Sequence, residues 1–325
     1  MVGTAASVAE DATISAVRDR HVGNIFLAGR SSAGTAATAA VTGQLTALVS
    51  PQSTAGIPLL VATDQEGGQV QVLSGPGFTD MPSALQQGTF DAATLAGHAG
   101  IWADELAAAG VNMNLAPVVD LIPSAEAAAS NPPIGAFDRE FGFDAATIVA
   151  HSKAFRDGMA AGGVHSVVKH FPGLGAVTAN TDTTAGVTDT TTSAQSDSVG
   201  IYRSEIASGA TSIMVSSATY TLIDPSAPAM FSPAVVTDLL RGQLGFTGVV
   251  MTDDVSGAAS VLAWSPADRA VLAILAGCDI VLVSRTPAVS AEMVDAVVAK
   301  AQTDPEFEKL VDAAARRVVA LKAAR

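Results

Sequence analysis

Short apolar segments that end abruptly in charged residues recur along the chain. Val249–Thr252 is followed by Asp253 and Asp254, and Leu59–Thr63 is followed by Asp64. Each segment has the length and composition of a buried strand, and helical patterns separate the segments. Such alternation favours parallel strands, whose carboxyl ends share one edge of the sheet. The sequence therefore predicts an α/β enzyme whose site lies at those strand ends.

The number and order of these segments favour a closed (β/α)8 barrel, a TIM barrel, as a single domain over residues 1–325. Alternation without a long linker favours the barrel over a doubly wound sheet. A barrel needs eight strands, but only Met1–Thr4 precedes the first helix, so we expect a truncated first strand. Ser265-Pro266 and Asp304-Pro305 predict helix starts. The other predicted strands are Asn24–Ala28, Leu59–Thr63, Val111–Val118, His165–Lys169, Ile213–Ser216, Val249–Thr252 and Ile280–Val283.

The composition is that of a globular, acidic protein. Apolar residues make up 49% of the chain and charged residues 15%, which excludes a disordered chain. The net charge of −14 argues against nucleic acid or an anionic membrane as a partner. No apolar run reaches the roughly 18 residues of a membrane span. We expect a monomer that is exported or attached to the cell envelope, with its signal upstream of residue 1, and a cytoplasmic protein as the alternative.

The sequence predicts neither a cofactor nor a metal. Gly67-Gly68 is not part of a nucleotide loop, because no Lys-Ser or Lys-Thr follows it. The single Cys278 excludes a disulfide within the chain and a multi-thiolate metal site, and it is predicted to be a buried core thiol. The five histidines show no metal-ligand spacing.

The adjacent carboxylates Asp253 and Asp254 are the first candidates for chemistry. Side chains alternate along a strand, so only one of the two can face the interior of a barrel. The other is expected to cap the next helix or to pair with a basic group. Two loop carboxylates without a catalytic role are the alternative, but the apolar strand directly before them argues against it.

Further candidates follow other predicted strands. Lys169 and His170 are suited to binding hydroxyls and to holding an acidic partner in its charged form. Asp64 and Glu66 add carboxylates that bind hydroxyls, and Arg139 reaches the site or forms a surface salt bridge. Structural salt bridges or turn contacts remain the alternative for each. Carboxylates and cations around one pocket, without a cofactor motif, are how a retaining glycosidase is equipped.

Six short motifs occur in order along nearly the whole chain. They are Asp64-Gln65-Glu66-Gly67-Gly68, Leu115-Ala116-Pro117-Val118-Val119-Asp120, Lys169-His170-Phe171-Pro172-Gly173, Phe231-Ser232-Pro233, Thr252-Asp253-Asp254 and Ala276-Gly277-Cys278-Asp279. Together they resemble glycoside hydrolase family 3, in particular its single-domain β-N-acetylglucosaminidases. We expect no second α/β domain, which fits that subgroup better than the two-domain β-glucosidases of the family.

The resemblance implies a role for each site residue. Asp253 matches the catalytic nucleophile that forms a covalent glycosyl-enzyme. The residues that match those gripping the sugar in the −1 subsite are Asp64, Arg139, Lys169 and His170. The acid/base of this subgroup is usually a His on the loop after Lys-His-Phe-Pro-Gly, two residues beyond an Asp that orients it.

This sequence departs from the family pattern on that loop. Asn180 stands where the orienting Asp is expected, and Asp182 stands where the His is expected. Gln69 and Val72 likewise replace two Arg positions that often follow Glu-Gly-Gly. In one hypothesis Asp182 is itself the catalytic acid/base, as a carboxyl group in a partly apolar setting can be. In the other, the protein is a weakened enzyme or a sugar-binding module.

The first hypothesis is favoured, because Asp is a competent acid and Asp253, Lys169 and His170 are intact. The resemblance then implies a retaining, exo-acting β-N-acetylglucosaminidase whose carbohydrate substrate is a peptidoglycan fragment or a chitin oligosaccharide. Specificity like that of the family's β-glucosidases or β-xylosidases is the alternative. Hydrolysis and phosphorolysis both remain open, although a carboxylate acid/base repels phosphate and so favours water.

Overall fold

Parallel strands in two sheets form the centre of the protein, and the computed structural model describes them within residues 1–324. Within each sheet the neighbouring strands are parallel, as predicted. The first sheet contains, in spatial order, Val2–Ala5 (β1), Asn24–Ala28 (β2), Leu60–Thr63 (β3), Met113–Asn114 (β4) and His165–Ser166 (β5). The second contains, in chain order, Val168–Phe171 (β6), Ser212–Val215 (β7), Val249–Asp254 (β8) and Ile280–Leu282 (β9).

Helices separate most consecutive strands, which gives the parallel connections room to cross over. Within residues 1–324, no helix has both the length and the apolar character that a bilayer crossing requires. The long helices are Asp11–Arg20 (α1), Gly34–Thr46 (α2), Ala92–Ala108 (α3), Ala145–Ala161 (α4), Asp197–Ala207 (α5), the π-type Ala234–Gln243 (α6), Pro266–Ala276 (α7), Ser290–Thr303 (α8) and Pro305–Ala323 (α9).

Smaller elements lie in the connecting loops. Gln65–Gly67 pairs with Val70–Gln71 in an antiparallel hairpin, and Thr188–Asp189 pairs with Thr219–Tyr220 in parallel. The short α-helices are Pro51–Thr54, Ala84–Gln87 and Ala125–Ala128, and the 3-10 turns are Gly135–Phe137, Ala229–Phe231, Ala259–Val261 and Pro287–Val289.

Polar caps and prolines fix where two of the helices begin. The Ser265 side chain accepts a hydrogen bond from the backbone N–H of Asp268, and Pro266 opens α7. In the same way the Asp304 side chain accepts from the backbone of α9, which begins at Pro305. Proline suits the first helical position because its missing N–H has no partner there in any case. Both predicted helix starts are therefore confirmed.

The first strand joins the two sheets at one side. β1 pairs with β2 over all four of its residues. The Gly3 N–H donates to the carbonyl oxygen of Val283 at 2.7 Å, and the Val283 N–H donates to that of Met1 at 2.9 Å. At the other side only Val167 separates β5 from β6. The strand ladders themselves are those of two sheets rather than one continuous ring.

Side chains on the strands alternate between two buried clusters. Leu60, Val249 and Met251 belong to an interior cluster that draws on both sheets and on α9. Their chain neighbours Val61 and Val250 belong to the larger cluster, which packs the strands against the helices. This alternation follows from the two-residue period of a strand. It gives both sheets a common inner face, which carries the site at its carboxyl end.

The thiol of Cys278 lies in the core, as predicted. Its side chain is buried, and its Sγ atom lies 3.7 Å from the carbonyl oxygen of Met230. Burial raises the pKa of this thiol. A thiol that stays protonated in an apolar setting packs as a small hydrophobe and is not a reactive nucleophile.

Candidate active site

A cavity of about 330 Å³ lies at the carboxyl ends of the parallel strands. Asp64 follows β3 directly, and His170 and Asp253 belong to β6 and β8. The strands thus deliver side chains to one place from distant parts of the chain. Of the residues put forward from the sequence, all but Glu66 line this cavity: Asp64, Arg139, Lys169, His170, Asp182, Asp253 and Asp254.

Asp253 continues the inner face of β8. It lies two residues beyond Met251, whose side chain is in the interior cluster, so the two side chains point to the same side. Burial raises the pKa of Asp253 to about 6; His170 opposes this shift, and the charge of Asp182 adds to it. The Asp254 N–H donates to Asp253 Oδ1 at 2.7 Å. Near neutral pH, Asp253 is therefore an ionised carboxylate with little solvation, which suits a nucleophile.

Asp254 faces away from Asp253 and holds the neighbouring loops. Its Oδ1 accepts from the backbone N–H of Ser256 at 3.1 Å and of Ser284 at 2.8 Å, and from the Ser256 hydroxyl at 2.6 Å. Its Oδ2 accepts from the N–H of Gly257 at 2.8 Å. The expectation that it caps a helix or pairs with a base is therefore wrong. The partners of Asp254 are instead backbone N–H groups of two loops and the Ser256 hydroxyl.

Glu66 is buried beside the cavity and is not available to a sugar hydroxyl. The Arg139 guanidinium donates to both of its carboxylate oxygens at 2.8 Å. Lys169 Nζ lies 2.6 Å from Glu66 Oε1 and 2.6 Å from Asp64 Oδ1. The expectation that Glu66 binds hydroxyls is not met, because its oxygens are occupied. Asp64, in contrast, remains 28% exposed toward the cavity.

Charge pairing outweighs burial in this group. Burial acts to raise the pKa of Glu66, but the charges and hydrogen bonds of Arg139 and Lys169 hold that pKa at about 2. Burial acts to lower the pKa of Lys169, and the carboxylates of Asp64 and Glu66 raise it above its usual value instead. Glu66 and Lys169 are thus both ionised at neutral pH. Arg139 is not a surface residue, which settles the alternative left open by the sequence.

Asp120 orients His170. Its Oδ2 lies 2.7 Å from His170 Nδ1, and its Oδ1 accepts from the backbone N–H groups of His170 at 3.2 Å and Leu174 at 2.8 Å. The other ring nitrogen of His170 lies 3.4 Å from Arg139 Nη2, which can only donate. These partners fix the orientation of the imidazole ring. The peptide bond between Lys169 and His170 is cis.

Asp182 lies on a loop at the mouth of the cavity. Its backbone N–H donates to the Asn180 side-chain oxygen at 2.9 Å. Its Oδ2 lies 3.6 Å from Arg285 Nη2, and its side chain is 46% exposed. The partly apolar setting considered from the sequence is therefore absent. Solvent and a guanidinium surround this carboxylate instead.

Three residues near the site were not assigned a role from the sequence. Asp120 supports His170 from the end of a predicted strand, and Arg30 and Arg285 line the cavity after β2 and β9. Each comes shortly after an apolar segment, so the strand-end pattern could have drawn attention to them. The pairing of Glu66 with Arg139 had no local signal, because 73 positions separate the two residues.

The fold and the site are those of a glycoside hydrolase. Residues 3–321 match the family model described as the glycosyl hydrolase family 3 N terminal domain. The chain belongs to glycoside hydrolase family 3. Both the class of enzyme and the family expected from the motifs are thereby confirmed.

Relatives with known structures or names span most of the chain. The crystal structure of β-N-acetylhexosaminidase from Beutenbergia cavernae is 63% identical with a TM-score of 0.99, covering 100% of this chain and 96% of that one. A β-hexosaminidase from Stenotrophomonas maltophilia is 35% identical over 70% of this chain and 67% of its own. NagZ from Neisseria gonorrhoeae, solved in complex with N-trifluoroacetyl-D-glucosamine, is 28% identical with a TM-score of 0.75, covering 90% of this chain and 83% of that one.

Proposed function

We propose that the protein is a retaining, exo-acting β-N-acetylglucosaminidase that hydrolyses terminal β-linked N-acetylglucosamine from peptidoglycan fragments or chitin oligosaccharides. The observation that carries this proposal is a poorly solvated carboxylate, Asp253, on the inner face of a strand, with Asp182 at the mouth of the same cavity. The name of the Beutenbergia relative and the ligand of the Neisseria structure support the choice of sugar.

In the proposed first step, Asp253 attacks the anomeric carbon. The new bond from its carboxylate oxygen forms as the bond to the leaving sugar oxygen breaks, and Asp182, which enters this step protonated, gives that oxygen its proton. In the second step Asp182 takes a proton from water, whose oxygen displaces Asp253 from the anomeric carbon. Two displacements at one carbon retain its configuration.

Asp64, Arg139, Lys169 and His170 are proposed to bind the sugar in the −1 subsite. Asp64 retains an exposed carboxylate oxygen that can accept from a hydroxyl. The pairing of Lys169 and Arg139 with Glu66 fixes their side chains before the substrate arrives. Groups that are already oriented lose little freedom on binding, which favours catalysis.

We also propose that the two sheets belong to one closed (β/α)8 barrel and that residues 1–325 form a single catalytic domain. The contacts of Gly3 and Val283, the single residue between β5 and β6, and the shared interior cluster support this. We propose in addition that the protein acts as a monomer.

The test is turnover of aryl β-glycosides of N-acetylglucosamine, glucose and xylose, with and without phosphate. We expect the N-acetylglucosaminide to be cleaved fastest and phosphate to bring no acceleration. A fluorinated N-acetylglucosaminide that traps the intermediate should label Asp253. A label on another residue would overturn the assignment of the nucleophile. Binding of N-acetylglucosamine without any turnover would instead identify a sugar-binding module.

A further inference from the structure

The loop of Asp182 is held by the segment that follows the strand of the proposed nucleophile. The Ala259 N–H donates to the carbonyl oxygen of Asp182 at 3.1 Å, and the Ser260 N–H donates to that of Thr181 at 3.1 Å. Both donors belong to the 3-10 turn Ala259–Val261, a few residues beyond β8. These bonds fix the backbone at Asp182, but they leave its side chain free to rotate.

Arg285 is the partner of that side chain. Of the cations within residues 1–324, it alone lies within ion-pair distance of Asp182, with 3.6 Å between Nη2 and Oδ2. Both side chains are about half exposed, at 55% for Arg285 and 46% for Asp182. An exposed pair of this kind contributes little to folding stability. What the pair can affect is the position of the Asp182 carboxylate.

The backbone at Arg285 is anchored next to the nucleophile. Its N–H and the N–H of Thr286 donate to the Ser256 hydroxyl at 2.9 and 3.0 Å. That hydroxyl donates to Asp254 Oδ1, which also accepts from the Ser284 N–H. The chain of contacts thus runs from the residue beside Asp253, through the loop after β9, to the carboxylate of Asp182.

Gly257 leaves room for the Arg285 side chain. A Cβ atom on Gly257 would lie 2.6 Å from Arg285 Cδ and 2.7 Å from its Cβ, closer than carbon atoms approach without a clash. A side chain at position 257 would therefore push Arg285 away from its present course. The position of the Arg285 side chain can therefore be changed by a substitution at either residue, Gly257 or Arg285.

We propose that Arg285 is a positioning residue that aims the Asp182 carboxyl group at the glycosidic oxygen, and that Gly257 is required for this. The inference rests on the proposed role of Asp182 as acid/base. Arg285 acts through Asp182 and touches no reacting atom. Arg285 should therefore accelerate only those cleavages in which the leaving group must receive a proton.

The test compares Arg285→Ala, Arg285→Lys and Gly257→Ala on aryl β-N-acetylglucosaminides of increasing leaving-group pKa and on chitobiose. In Arg285→Ala and Gly257→Ala we expect kcat/KM to fall about tenfold or more for chitobiose and for aryl glycosides with poor leaving groups. For the 2,4-dinitrophenyl glycoside, kcat/KM should stay within about twofold of the wild-type value. The reason is that a misplaced proton donor slows only those cleavages in which the leaving group needs a proton. Arg285→Lys should recover most of the loss. Arg316→Ala, which removes an exposed arginine outside the cavity lining, should behave as wild type.

Two outcomes separate this inference from the proposed function. If Asp182→Ala shows the dependence on leaving group but Arg285→Ala does not, Asp182 is the acid and the role of Arg285 is wrong. If Asp182→Ala lacks the dependence as well, the acid/base assignment fails first. A uniform loss across all leaving groups in Arg285→Ala, in a variant with unchanged thermal melting, would place Arg285 in substrate binding and overturn the inference. Arg285→Ala in the Asp182→Ala background should have no further effect.

Discussion

The protonation of Asp253 controls the proposed chemistry at the scale of a single residue. Burial raises its pKa to about 6, well above the usual 3.8 of an aspartate. A nucleophilic carboxylate must be ionised, so the same burial that makes it reactive also limits the pH range in which it acts. Two predictions follow from this one group, one for activity and one for stability.

The first prediction concerns the acid limb of the pH profile. We expect kcat/KM for a 2,4-dinitrophenyl glycoside to fall about tenfold per pH unit below about pH 6, because protonated Asp253 cannot attack. This substrate needs no proton from Asp182, so its acid limb reports the nucleophile. An acid limb that begins near pH 4 would contradict the raised pKa of Asp253.

The second prediction is that Asp253→Asn stabilises the protein at neutral pH. The folded pKa is above the unfolded one, so the stability contributed by this group is fully present below about pH 4 and is lost as the pH rises through 6. Above pH 6 the wild type carries a poorly solvated charge that the amide avoids. We expect a gain of about 3 kcal/mol in the free energy of unfolding at pH 7.5 that falls below about 1 kcal/mol near pH 4. Urea titrations at both pH values measure it, and an equal difference at both would refute the explanation.

At the scale of elements, Glu66 ties three segments together. It lies on the hairpin after β3, and it pairs with Arg139, beyond the turn Gly135–Phe137, and with Lys169 of β6. All three side chains are largely buried. A buried carboxylate between two cations matters chiefly because its loss leaves those cations uncompensated.

We therefore expect Glu66→Gln to destabilise the fold by about 3–5 kcal/mol, as is usual when one partner of a buried pair is removed. The depressed pKa of Glu66 gives stability above the unfolded value of 4.5 that is lost as the pH falls toward 2. The difference between wild type and variant should thus shrink over that range. Glu306→Gln is the matched control, because its pair with Lys309 is exposed, and it should change stability by less than about 0.5 kcal/mol. Equal effects of the two substitutions would refute the role of Glu66.

Elements whose signals are local were predictable from the sequence. The strand Asn24–Ala28 and the helices that begin at Pro266 and Pro305 lie where apolar runs and caps put them. The partners of Glu66 and Asp120 could not be predicted, because pairing between distant segments depends on the packed fold. The same holds for Arg285, whose contact with Asp182 exists only once two loops meet.

At the scale of the whole molecule, the seam between β1 and the residues after β9 connects the first and last strands of the chain. Backbones approach closely there: a Cβ atom on Gly3 would lie 2.3 Å from the carbonyl oxygen of Ser284. Glycine is needed at this point for lack of space. The same loop leads directly to Arg285, so this seam and the site share their support.

Gly3→Ala should accordingly destabilise the protein by about 1–3 kcal/mol, because the added methyl forces the two segments apart. Gly43→Ala is the control: no atom lies within 4 Å of the added Cβ, and the residue is inside α2. It should be neutral or stabilising by up to about 1 kcal/mol, since alanine favours a helix. Thermal melting of both variants tests this. If Gly3→Ala melts like wild type, the seam does not join the sheets.

The opposite orientations of Asp253 and Asp254 make the length of β8 as important as its residues. Deletion of Thr252 would shift the register by one position, so that Asp254 would enter the cavity and Val255 would replace the acceptor that the loops require. A residue added between Met251 and Thr252 would instead turn Thr252 toward the sugar and Asp253 away from it. Surface loops tolerate insertions and deletions, whereas insertion of a single residue into this strand would cost the enzyme its nucleophile even with every side chain still present.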